Sequence, residues 1–67
     1  MNKEICLNHA LMILNLCVKS SLKNQDNFIN QYIKYMNSLN KNIREYILLN
    51  KSITKKINIL NIGFKNE

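Results

Sequence analysis

A chain of 67 residues with ten Lys and Arg, four Asp and Glu, and a formal net charge of +6 has room for one small domain. It holds no proline and one glycine, Gly63, which leaves too few turn formers for a β-sandwich or a doubly wound sheet and points to an all-α fold. At this length only about 60% of the unfolded chain's surface is buried on folding, so a disulfide, a metal or a partner subunit commonly supplements the core. The positive balance attracts polyanions, whether nucleic acid, anionic lipid or acidic protein. Yet Asn, Lys and Ile fill nearly half the chain, and nine of the ten cations are lysine. An AT-rich coding sequence produces that bias unaided, so charge alone discriminates little.

The first predicted helix covers about 3–22. One row along it carries Cys6, Ala10, Ile13, Cys17 and Ser20; a second carries Leu7, Leu11, Leu14, Val18 and Leu22. Such a wide apolar arc suits the inner helix of a bundle, covered on more than one side. Cys6 and Cys17 lie eleven residues apart, about 16 Å along a straight helix and beyond disulfide reach. They are expected as buried free thiols in a reducing compartment. Lys3 precedes the apolar run Ile5 to Val18, but Asn8, His9 and Asn15 interrupt it and Lys19 closes it. Leu16 stands where a lipoprotein site needs a small residue. The run is a poor signal peptide and too short and polar to span a membrane, so a cytoplasmic protein is expected.

A loop is expected at about 23–26, with Asn24 ending the first helix and Asp26 capping the next. The second helix is expected over about 27–50. From Ile29 a heptad series runs through Tyr32, Met36, Leu39, Ile43, Tyr46, Asn50, Ile53, Ile57, Leu60 and Phe64. Asn50 is its one polar position, the kind that fixes register in a coiled coil. The flanks up to Leu49 include Phe28, Ile33, Tyr35, Ile47 and Leu49, so the apolar face is broad there. Beyond Asn50 it narrows, with Thr54, Lys56 and Asn61 beside the seam. Residues of about 52–62 form either a separate third helix, capped by Ser52 and ended by Gly63, or a continuation of the second. The run Ile57 to Ile62 has some β character, but the heptad phase favours helix. Ile59 and Ile62 then point away from the seam, where a partner could sit.

The expected architecture is therefore a helical hairpin or three-helix arrangement with a heptad-patterned second helix. A two-helix hairpin cannot bury both broad faces, so self-association or a protein partner is expected to complete it. The expected interface is Ile29, Tyr32, Met36, Leu39, Ile43, Tyr46, Asn50, Ile53, Ile57 and Leu60, and the expected function is a non-enzymatic protein–protein interaction.

The alternative from the sequence is a small RNA- or ribosome-associated protein. Lys34, Lys41, Arg44, Lys51 and Lys55 line the helix side opposite the seam for about 30 Å and could track a phosphate backbone. RNA is favoured over DNA. Leu48 interrupts that stripe, and a single Arg gives little bidentate recognition. Tyr32, Tyr35 and Tyr46 lie on or beside the seam, where they serve a core better than base stacking. Metal binding has only Cys6, His9 and Cys17 to draw on, and Cys17 is out of reach of the other two on one helix. No cofactor or metal is expected. Catalysis has four carboxylates, Glu4, Asp26, Glu45 and Glu67, no glycine-rich phosphate loop, and in Cys6–His9 a nucleophile–base pair without an orienting third group. No enzyme is expected. A membrane partner is disfavoured because Lys3, Lys19 and Lys23 cluster at the ends of the first helix rather than along one face.

Overall fold

The computed structural model describes residues 2–60. The side-chain oxygen of Asn2 accepts from the amides of Glu4 (2.8 Å) and Ile5 (3.1 Å) and so starts α1, Lys3–Lys19. Glu4 in its first turn and Lys19 in its last both suit the helix dipole. The helix stops because Ser20 (φ −85°, ψ 159°) and Ser21 (φ −67°, ψ 161°) are both extended. Two side chains then satisfy the freed Cys17 carbonyl. Ser20 Oγ donates to it at 3.0 Å, and Gln25 Nε2 donates to it from the next helix at 3.1 Å.

That next helix, α2, spans Leu22–Ser38. The reversal therefore falls at Ser20–Ser21, and the segment of 23–26 expected as a loop is helical. Asn24 and Asp26 are interior to α2 and cap nothing. Two consecutive serines with extended backbones turn the chain without the longer polar linker that Lys23–Asn27 resembles.

The single helix expected over 27–50 is divided in two places. Leu39 is extended and buried, and Asn40 then caps α3, Lys41–Leu48, its side chain accepting from the Ile43 amide at 3.0 Å. Leu49 ends α3, and the Asn50 side chain accepts from the amides of Ser52 (2.9 Å) and Ile53 (3.3 Å), starting α4, Lys51–Leu60. Asn50 is thus a half-buried helix cap and not a polar position inside a coiled-coil seam. Helical spacing survives both breaks. A cap of two residues leaves Leu39 and Ile43, and likewise Tyr46 and Ile53, on the sides turned to the same core, so the sequence keeps a heptad phase while the backbone changes direction.

The result is four helices, and among the described residues there is no strand. α1 packs against α2, α3 and α4, and α3 also packs against α4. The core joins Cys6, Ala10, Ile13, Leu14 and Cys17 of α1 to Tyr32 and Met36 of α2, Leu39, Ile43 and Ile47 around α3, and Ile53 of α4. Both thiols are free and buried. Burial pushes the Cys17 thiol up, which keeps it protonated and unreactive. Complete burial of a large aliphatic side chain contributes about 1.5–3 kcal/mol, so a core of this size must draw on every helix. The short α3 and α4 depend on it most, because isolated helices of their length are marginal in water.

The seam expected to meet a partner is turned inward. Tyr32, Met36, Leu39, Ile43 and Ile53 are core, while Ile29, Tyr46, Ile57 and Leu60 pack half-buried against it. Three helices folded around α1 cover the broad apolar faces that a hairpin alone would leave open. Ile59 does point away from the core, at 62% exposure. Ile62, Gly63 and Phe64 lie outside the described residues.

Candidate protein-interaction surfaces

Because α1 is enclosed by three helices on one side, its remaining side is readily defined. At 100° per residue, Ile5, His9, Met12 and Leu16 fall within an arc of about 60°, centred about 120° around the helix from Ala10, Ile13, Leu14 and Cys17. Ile5 is 67% exposed, Met12 50% and Leu16 42%, and His9 is also exposed. Asn8 and Asn15 border the stripe on one side. No Lys, Arg, Asp or Glu occurs between Glu4 and Lys19. Between Glu4 and Lys19 the stripe is apolar apart from His9. Single exposed apolar side chains are ordinary; several in line on one helix are less so.

The flanks of this stripe are fixed by aromatic contacts. The His9 ring lies 4.4 Å from the Tyr35 ring of α2, tilted by 48°, and Tyr35 Oη donates to the Cys6 carbonyl at 3.4 Å. Burial, followed by its contact with Cys6, pushes the Tyr35 phenol up to about 12. Lys3 Nζ stands 5.0 Å over the Tyr46 ring of α3, which draws that cation toward α3. Cys6 and His9 are thus used in packing, one in the core and one against Tyr35. Among the described residues no three His, Cys, Asp or Glu side chains come together as metal ligands would.

A second surface is the groove between α2 and α3, lined by Ile33, Met36, Asn37, Arg44 and Leu48, with a volume of about 370 Å³. Ile33 and Leu48, expected respectively as a seam flank and an interruption of the basic stripe, meet here. Arg44 joins them half-buried, so it is a groove residue as much as a surface cation. Lys34, Lys41, Lys51 and Lys55 are exposed. They stand on α2, α3 and α4, and the straight 30 Å track expected of one helix (an estimate from the helical rise) is cut at 39–40 and 49–50. Lys41 and Lys51 are the first residues of their helices, where the dipole disfavours a cation.

Burial of Tyr32 is complete, and among the described residues its hydroxyl has no hydrogen-bond partner. Burial pushes this phenol up to about 12. The tyrosine was legible as a core position, but its orphaned hydroxyl was not, since pairing depends on neighbours that only the fold supplies. The α1 stripe was hidden differently. Its residues belong to an arc so apolar that the sequence alone does not separate the buried side from the bare one. Among the described residues no helix is long and apolar enough to cross a membrane.

No protein family model, no curated protein and no solved structure matches this chain.

Proposed function

We propose that the protein is a non-enzymatic helical binding protein that acts by placing the outer stripe of α1 against another protein surface. The observation that supports this is the line of exposed Ile5, Met12 and Leu16 on the one helix that already holds the rest of the fold. A rigid, uncharged helix face loses little freedom on docking and gains from every apolar group it covers. The ten seam residues named from the sequence serve this function indirectly, as the core and caps that hold α1 in place. Two free buried thiols suit a cytoplasmic, reducing setting.

Phosphate-backbone binding is the second reading, supported by the exposure of Lys34, Lys41, Lys51 and Lys55 and by the net charge of +6. Sedimentation of the tagged protein from a lysate of the cells that make it, at low and high salt, separates the two. A small discrete complex that survives high salt and is lost in Met12→Lys is the expected result. Migration with ribosomes or nucleic acid that collapses at high salt and ignores Met12→Lys would overturn the protein-binding reading in favour of the second.

A further inference from the structure

We infer that the groove between α2 and α3 seats one turn of an acidic amphipathic helix from another protein. The inference goes beyond the α1 stripe, since none of the groove's lining residues belongs to α1. α2 and α3 both pack on α1 but not closely on each other, and the gap between them is the groove. Ile33, Met36 and Leu48 supply its apolar part, and Asn37 and Arg44 its polar part. Ile33–Asn37 on α2 and Arg44–Leu48 on α3 each cover roughly 6 Å, one helical turn. A helix lying in such a trough presents two apolar side chains one turn apart.

Charge selects which helix. Arg44 is half-buried beside the apolar groups. Among the described residues no side-chain hydrogen bond involves its guanidinium. Lys41 stands one turn from Arg44 on α3, Lys34 stands one turn from Asn37 on α2, and both are exposed. The acids of the two helices lie off this cluster. Glu45 is exposed and about 100° around α3 from Arg44, and Asp26 precedes Ile33 by about 10 Å along α2. The groove is thus an apolar trough with cations on both walls. A carboxylate beside the occupant's apolar pair meets a guanidinium partly shielded from water, and the net charge of +6 draws acidic partners from a distance.

Other ligands fit less well. A small molecule is ordinarily covered over most of its surface, whereas exposed Asn37 and Leu48 leave this groove open. A phosphate backbone would use the cations but gain nothing from Ile33, Met36 and Leu48.

The test is fluorescence anisotropy of a labelled alanine-based peptide, about 16 residues long so that it populates helix. It carries two leucines one turn apart with glutamates beside them. Titrated with the purified full chain, this peptide is expected to bind saturably, and versions with lysine for glutamate or alanine for leucine are not. Arg44→Gln weakens binding by about fivefold to thirtyfold, and Lys41→Gln by about twofold to fivefold. Leu48→Lys weakens it by about tenfold or more although it adds a cation, and its exposed site near the end of α3 accepts the charge with unchanged helicity. Met12→Lys leaves it unchanged, so this binding and the lysate complex stand or fall separately. No saturable binding, equal binding of the lysine peptide, or tighter binding in Leu48→Lys would each overturn the inference. Tighter binding of an oligouridylate than of the peptide, weakened by Arg44→Gln and Lys41→Gln but not by Leu48→Lys, would overturn it in favour of a phosphate ligand.

Discussion

α1 and the α3–α4 pair meet their need for burial in opposite ways. α1 is long and apolar around most of its circumference, buries one side under three neighbours and leaves Ile5, Met12 and Leu16 bare. α3 and α4 are short, and each turns one apolar side to the core: Ile43 and Ile47 from α3, Ile53 with half-buried Ile57 and Leu60 from α4. The short helices expose large apolar side chains singly, Leu48 on α3 and Ile59 on α4, whereas α1 exposes three in line.

The largest effect should come from charging the short helices on their one buried side. Ile53 is fully buried, and Ile53→Asp should abolish the cooperative thermal transition followed by circular dichroism, because an unpaired carboxylate has no place in that core. A cooperative melt within a few degrees of wild type would mean that α4 does not depend on α1. A gentler contrast lies within α1. Leu14→Ala, at a fully buried site, should cost about 2–5 kcal/mol in urea unfolding. Leu16→Ala, on the exposed stripe, should fall within roughly 0.5 kcal/mol of wild type. Equal losses at both sites would erase the distinction between the two sides of the helix.

Smaller effects sharpen the account of the helix breaks. Asn50→Leu should destabilise by about 1 kcal/mol as the Ser52 and Ile53 amides lose their acceptor. A coiled-coil seam predicts the reverse, since an apolar residue there strengthens the core. Tyr32→Phe should be the mildest change near neutral pH, neutral or slightly stabilising, because it removes a buried hydroxyl that has no partner among the described residues. Its signature is in alkali. The unfolded phenol releases its proton near its ordinary value of 10, while the folded one holds it to about 12. Stability is therefore complete below pH 10 and falls as pH rises from 10 to 12, by about 1.4 kcal/mol per unit for this group. Tyr32→Phe should flatten that fall in a pH series of urea melts and leave the share due to Tyr35. An unchanged alkaline limb would show that Tyr32 does not titrate in the unfolding transition.

The all-α class and the inner position of α1 were legible because they depend on sums: few turn residues, and an apolar arc too wide for one contact. The breaks were not legible, and asparagine is the reason. Asn40 and Asn50 are caps, while Asn24 is interior helix, and in a chain this rich in asparagine the residue type no longer marks a boundary. The heptad phase misled for a related reason, since spacing is preserved through a two-residue cap and a periodic pattern cannot report a change of direction. The apolar seam was read correctly as a buried surface. Its burial by the chain's own α1, rather than by a partner, follows from the two extra turns that let α3 and α4 fold back. Ile59 was legible as outward-facing because it falls off the seam by periodicity alone.

α1 has one side packed under its three neighbours and another left bare. Met12 and Leu14 stand two residues apart on those opposite sides, half-exposed and fully buried respectively. The most direct measurement is the thermal unfolding of Met12→Asp beside Leu14→Asp, followed by far-ultraviolet circular dichroism at one concentration. Met12→Asp should melt as wild type does, and Leu14→Asp should show no folded baseline. Two equally damaged proteins, or two equally intact ones, would contradict that division of α1.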